Sequence, residues 1–231
     1  MDSNWHQVLC EYMMTHQTPY VRRQVRKLML FICGNKENYR ELRDLHTLES
    51  HMKKVEGIIE KDQDNVTKNS HNLPYDTLLQ LIEHLKSCVD VASSRMMNWQ
   101  KYCMKNPNIL PFLFQISFKL DDGVSPIILH LLQSAICNTS TNMMPGGATS
   151  SRKRALSPMK NIRKPKNTTN TAEQSANEET KNDAFKLIQS LAKHLSPDLI
   201  KKFVEKFLLE CNTSSVRWQA HALIVTLQKN W

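Results

Sequence analysis

A four-residue motif, Val-Arg-x-Gln, occurs twice in this chain, at Val21–Gln24 and at Val216–Gln219. The apolar residues around the two copies repeat at the same offset, 195 positions. Before the motifs, Trp5, Val8, Leu9, Tyr12 and Met13 match Ile200, Phe203, Val204, Phe207 and Leu208. From the motifs onward, Val21, Val25, Leu28, Met29 and Ile32 match Val216, Ala220, Leu223, Ile224 and Leu227. Each set lies on one face of an α-helix, so the sequence predicts two helix–turn–helix units.

A helix pair of this kind cannot bury its apolar face alone, and such units are stable when they stack against neighbours. The chain has only five glycines and few β-branched residues in strict alternation, which also favours helices over strands. We therefore predict an all-α helical-repeat solenoid. The chain stops at Trp231 without a polar capping unit, so we expect it to be part of a longer array.

The net charge of +9 is unevenly distributed along the 231 residues. Residues 1–137 carry 16 Lys/Arg and 15 Asp/Glu, residues 138–182 carry 8 and 3, and residues 183–231 carry 7 and 4. The middle segment is rich in Asn, Thr, Ser and Lys and almost lacks large apolar side chains, so we predict a disordered linker there. The flanking segments, 1–137 and 183–231, are predicted to be helical-repeat blocks.

Helix boundaries follow from local signals. Thr18-Pro19, Ser125-Pro126 and Ser196-Pro197 each place an N-cap hydroxyl before a proline in the first turn. The apolar periodicity predicts helices over 37–61, 74–105, 109–120, 126–136, 183–195, 197–211 and 215–230, with a loop at 62–72 and a turn at 121–123.

The two motif arginines, Arg22 and Arg217, follow the turn at matching positions. We favour a structural role, a hydrogen bond to a neighbouring helix end or to an acidic residue of the next repeat, over a ladder that faces a ligand. The segment Val21–Ile32 is also a basic amphipathic helix, as in calmodulin targets and membrane-surface helices. Its basic residues are Arg22, Arg23, Arg26 and Lys27, and its apolar residues are Val25, Leu28, Phe31 and Ile32. Its apolar face is the one that its repeat counterpart uses, so we favour core packing.

The linker contains two basic clusters, Arg152–Arg154 and Arg163–Lys166. Clusters of this type suit import receptors and acidic partners, while a plain solvated linker remains the alternative. Ser157-Pro158 lies between them, and phosphorylation of Ser157 would lower the local charge by about 1.5–2 units.

No residue pattern predicts catalysis or metal binding. His46 with His51 and His84 with Cys88 offer two ligands each, whereas zinc needs three or four. A glycine-rich phosphate loop and a catalytic triad spacing are both missing, so catalytic, cofactor and metal residues are predicted as none. The six scattered cysteines are expected to be reduced core residues of an intracellular protein, and neither a secretory signal nor a membrane span is predicted.

Five longer sequence segments occur in an order that is typical of a known protein family: Pro19–Leu28, Tyr39–Leu48, Asn98–Lys101, Asp122–Pro126 and Ser215–His221. They resemble a stretch of the giant UBR-box ubiquitin ligases, the family of calossin, purity of essence and BIG. The resemblance covers both predicted blocks. It implies a piece of an armadillo/HEAT-like scaffold from an N-degron-pathway E3 ligase that is associated with calmodulin and microtubules in cytoplasm and nucleus.

The family's UBR box and ligase module are rich in Cys and His, and this chain has no such cluster, so no family site residue is transferred to it. We therefore expect a scaffold and protein-interaction segment with ubiquitin-pathway partners, with calmodulin as a candidate, and we expect no nucleic-acid partner. Zinc is expected only in other parts of the parent family. The alternative is a freestanding HEAT-type adaptor that binds nucleic acid or import factors through the basic linker.

Overall fold

A computed structural model describes residues 5–14, 17–65, 73–118, 120, 123–137 and 182–229. The described residues form helices and no strands. In chain order the helices are α1 (Trp5–Met14), α2 (Pro19–Cys33), α3 (Lys36–Asn65), α4 (Tyr75–Ser94), α5 (Met96–Lys105), α6 (Ile109–Ile116), α7 (Ser125–Ile136), α8 (residues 182–192), α9 (Pro197–Val204) and α10 (Ser214–Lys229). Residues 138–181 of the predicted linker, with its basic clusters and Ser157, lie outside the described residues, as do Asp121, Asp122 and residues 66–72.

Two of the three predicted N-caps are confirmed. The Thr18 hydroxyl accepts from the Val21 amide at 3.4 Å, and the Ser196 hydroxyl accepts from the Leu199 amide at 3.2 Å. The prediction for Ser125 was wrong. Val124 is the N-cap there, and the buried Ser125 hydroxyl donates to the Ser117 carbonyl at 3.3 Å. That hydroxyl therefore joins the start of α7 to the end of α6.

The helix predicted over 74–105 is interrupted at Arg95, where φ is −147° and ψ is 66°. Neither glycine nor proline marks the break. The cause is tertiary, because the Arg95 guanidinium and the Asn98 amide both donate to the carboxylate of Asp44 on α3. The predicted helix over 197–211 also changes within its length, since α9 continues as a π-helical turn, Glu205–Glu210.

The helices stack in a row. Helix α3 packs on α4, α4 on α7 and α7 on α10, while α5 contacts α3, α4 and α7. The periodic leucines of these helices meet in one core, which includes Leu48, Leu85, Leu129 and Leu223. The all-α helical-repeat prediction, of armadillo/HEAT type, is confirmed.

The two predicted blocks share this core. Phe203 on α9 stacks on Phe114 of α6 with ring centroids 5.0 Å apart, and Phe118 and Phe207 complete an aromatic cluster. Beside it, the Lys206 ammonium donates to the carbonyls of residues 117, 118 and 120, each at 3.1 Å. These carbonyls follow the C-terminal end of α6, where a cation also interacts favourably with the helix dipole. Helices α9 and α10 therefore complete the first block across the linker.

The first helix pair has a smaller core of its own. Cys10, Met29 and Tyr39 are buried there, and Val25, Leu9 and Met13 pack partly against them. Helix α2 ends where Gly34 takes the left-handed conformation, with φ of 74°, and its amide donates to the Phe31 carbonyl at 3.3 Å. The chain then turns at once into α3, so α1 and α2 lie at one end of the stack.

Candidate protein-interaction surface

The repeated motif begins a helix at equivalent positions in both units. The Arg22 amide donates to the Thr18 carbonyl, and the Arg217 amide donates to the Thr213 carbonyl, both at 3.1 Å. The predicted structural role of the arginine side chains was wrong. Both are exposed, and among the described residues neither makes a side-chain hydrogen bond or an ion pair. The motif therefore marks a helix start, and its repeated arginine faces solvent.

Helix α2 packs into the core through one side only. Met29 is buried and Val25 is half-buried, whereas Phe31 is 84% exposed and Ile32 is 44% exposed. The core packing that we predicted for Phe31, Ile32 and Leu28 was therefore wrong. The reason is geometric, because α1 and α3 together cover a single face of α2. Among the described residues, Leu28, Phe31 and Ile32 remain exposed on α2, which also carries four basic side chains.

A groove opens along α3 between the first helix pair and α5. It consists of two adjoining cavities of about 340 and 290 Å³, which share Leu42, Leu45 and Lys105 in their linings. Trp5 and Ile32 line one end, and Tyr102 lines the other. We call this feature the α3 groove. Leu42 and Leu45 lie on the periodic apolar face of α3, and both side chains are half-buried. Leu45 packs against the main core, and both side chains also line the groove.

Helix α5 holds the wall of the groove in place through four consecutive side chains. Asn98 donates to Asp44 at 2.8 Å, and the Lys101 ammonium pairs with Glu41 at 2.8 Å, so both reach α3. On the other side, the Trp99 indole donates to the Leu131 carbonyl and the Gln100 amide to the Ala135 carbonyl, each at 3.0 Å. The segment Asn98–Lys101 thus bridges α3 and α7.

A histidine pair lies between α3 and α4. The Nδ1 atoms of His51 and His84 are 3.2 Å apart, a hydrogen-bond distance at which one ring donates and the other accepts. Burial lowers the pKa of both imidazoles below the ordinary value, and the cation of Lys54 lowers both further. The residues are 33 positions apart on separate helices, so only the α3–α4 packing could reveal this pair.

The other ligand pairs considered in the sequence do not converge on a site. His46 lines the α3 groove, and Cys88 is buried in the core, where desolvation raises the pKa of its thiol to about 12. No group of three His, Cys, Asp or Glu side chains that could hold a metal ion occurs among the described residues. All six cysteines are free thiols, and four of them are buried. No described helix is long and apolar enough to cross a membrane.

Comparison with known proteins places these features in a family. The chain is 35% identical over 224 residues to the protein purity of essence from Drosophila pseudoobscura pseudoobscura, and 31% identical over 225 residues to the auxin transport protein BIG from Oryza sativa subsp. japonica. Each alignment covers 95% of this chain. The chain belongs to the purity of essence and BIG family.

The chain matches only a short stretch of each of these family members. The chain spans 4% of the length of purity of essence and of BIG. A probable E3 ubiquitin-protein ligase from Dictyostelium discoideum is 34% identical over 131 residues, which cover 56% of this chain and 2% of that protein. No family model and no solved structure matches the chain.

Proposed function

We propose that this chain serves as a scaffold and protein-interaction segment of an E3 ubiquitin ligase of the N-degron pathway, and that ubiquitin transfer takes place in other parts of such a ligase. The observation that carries the proposal is the 34% identity to a protein named as a probable E3 ubiquitin-protein ligase. The stacked helices support it, because helical-repeat arrays offer extended surfaces on which proteins bind.

The finer parts of the proposal follow the family resemblance. We expect ubiquitin-pathway components as partners, calmodulin as a further candidate, and residence in the cytoplasm with a nuclear fraction. Zinc would be held by Cys/His-rich parts of a complete ligase. For calmodulin, the basic helix α2 is the candidate segment, but Val25 and Met29 would have to leave the small core before calmodulin could surround the helix.

The direct test of the scaffold role uses purity of essence as host. Its matched segment would be deleted or replaced by this chain, and turnover of a reporter with a destabilising N-terminal residue would be followed after translation is stopped. We expect deletion to slow turnover and replacement to restore it. Normal turnover after deletion would refute the role. In a separate reaction, purified chain that discharged a ubiquitin-charged E2 would show that transfer does occur in this segment.

The alternative, a freestanding adaptor that uses the basic linker, is tested by salt. Affinity of the chain for duplex DNA or single-stranded RNA would be measured at 50 and 200 mM salt, with a variant that lacks residues 150–167 as the control. A nucleic-acid binder that neutralises six or more phosphates should lose about 10³-fold or more in affinity over that range. Under the scaffold proposal we expect only weak binding.

A further inference from the structure

The α3 groove has the length of a short helical binding site. Its linings run along α3 from Asn38 to Glu49, and eleven residue steps of an α-helix extend over about 16 Å. A partner helix lying in the groove would therefore engage about three turns. Grooves of this form receive amphipathic helices, which anchor apolar side chains at spacings of three, four and seven residues.

The floor of the groove is apolar, and the apolar side chains at one end of it are exposed to solvent. Leu42 and Leu45 form a half-buried floor, while Trp5 and Ile32, 40% and 44% exposed, line one end. Phe31, beside Ile32 in the chain, is almost fully exposed. Water in contact with these side chains would be released when an apolar face covers them.

The charges of the groove favour an acidic occupant. Glu41 pairs with Lys101 at 2.8 Å and Glu49 pairs with Lys53 at 2.9 Å, so both lining carboxylates are already engaged. Lys105 makes no ion pair with any described residue. Helix α2, which supplies Ile32 to the lining, also carries four cations that lie outside the lining, and no carboxylate: Arg22, Arg23, Arg26 and Lys27. Carboxylates on the partner would complement this surplus and speed association.

We propose that the α3 groove is a docking site for an amphipathic α-helix of a partner protein whose apolar stripe is flanked by carboxylates. This rests on the proposed scaffold role, but the binding assay below contains no ubiquitin-transfer step, so either proposal can fail while the other stands. A second copy of the chain fits less well, because face-to-face pairing would oppose the cations of the two α2 helices. A membrane surface fits less well too, because a plane of head groups cannot follow a concave floor.

The test uses the full chain and a fluorescent synthetic peptide. The peptide carries leucines at positions i, i+4, i+7 and i+11, with glutamates on both flanks, and its charge-reversed form carries lysines instead. Anisotropy should show the acidic peptide binding at least about tenfold more tightly than the basic one. Ile32→Ser should weaken binding about tenfold, as loss of an anchor does. The matched control is Leu79→Ser on α4, equally exposed but remote from the groove lining, and it should leave affinity unchanged.

A charge variant keeps the test decisive if Ile32→Ser unfolds the first helix pair, which circular dichroism would reveal. Lys105→Glu lies at the groove edge and should weaken the acidic peptide several-fold while improving the basic peptide. Equal affinity for the two peptides, or no response to either groove variant, would overturn the proposal. So would a dimer, seen by light scattering, that Ile32→Ser dissociates. Binding to phosphatidylserine vesicles that Ile32→Ser abolishes, without peptide binding, would assign the surface to membranes instead.

Discussion

Replacing Phe203 by alanine tests whether the helices on both sides of the linker form one cooperative unit. The Phe203 side chain is fully buried, and its ring contacts three others, with centroid separations of 5.0 Å to Phe114, 6.0 Å to Phe118 and 4.9 Å to Phe207. Truncation removes a ring that joins α9 to α6 and leaves a cavity in the shared core. Losses for buried Phe→Ala changes are about 3–5 kcal/mol, and three aromatic neighbours place this one near about 4 kcal/mol.

A loss of this size is a large part of the free energy of unfolding of a typical domain, about 5–15 kcal/mol. In a chain of this length it corresponds to a lower melting temperature by about 8–16 °C. We would measure thermal and urea unfolding by circular dichroism, together with fluorescence in a background where Trp99, which is buried in the first block, is the single tryptophan. Both signals should shift together, because the first block loses part of its own core when α9 detaches.

Phe185→Ala is the matched control, since Phe185 lies in the same half of the chain but is 42% exposed, and we expect a change within about 1 kcal/mol. Two separate transitions, of which only one moves in Phe203→Ala, would refute the reasoning. That result would mean that α8 to α10 fold independently and merely rest against α6 and α7.

Three further predictions concern polar contacts between helices. Asp44→Asn should lower the free energy of urea unfolding by about 2 kcal/mol, because the buried charge that holds Arg95 is lost; unchanged stability would contradict this role. Because the pKa values of His51 and His84 are lowered in the folded chain, the unfolded chain binds protons more readily. The free energy of unfolding should therefore fall as the pH drops below about 6.5. In a His51→Gln/His84→Gln variant, this fall between pH 7.5 and 5 should be shallower than in the unmodified chain. Lys206→Met should cost about 1.5–3 kcal/mol through loss of three carbonyl contacts, and Lys202→Met, an exposed neighbour, should cost far less.

Local sequence signals located most helices. Thr18-Pro19 and Ser196-Pro197 begin helices because the hydroxyl satisfies an amide only three residues away, which is a contact that the local sequence encodes. Ser125-Pro126 carries the same signal, yet its hydroxyl bonds across to Ser117. The difference lies in burial at the junction of α6 and α7, which no local pattern records.

Helices α2 and α10 share the same apolar periodicity but differ in which of those residues are buried. Leu223 and Leu227 are buried against α7, while their counterparts Leu28 and Ile32 are exposed. Periodicity states which side chains lie on one face of a helix, but burial depends on whether another helix covers that face. The α3 groove is a second case, because Leu42 lies on the periodic apolar face of α3 but is only half-buried.

The sequence by itself determined three things about this protein: its construction from stacked helix pairs, the start of most helices and its family. Helix caps, periodic apolar faces and long matching segments all depend on residues that are close together in the sequence. Only the tertiary structure decided the break at Arg95, the meeting of His51 with His84 and the joining of the two blocks around Phe203. Each of these depends on side chains more than thirty positions apart, whose approach is set by how whole helices pack.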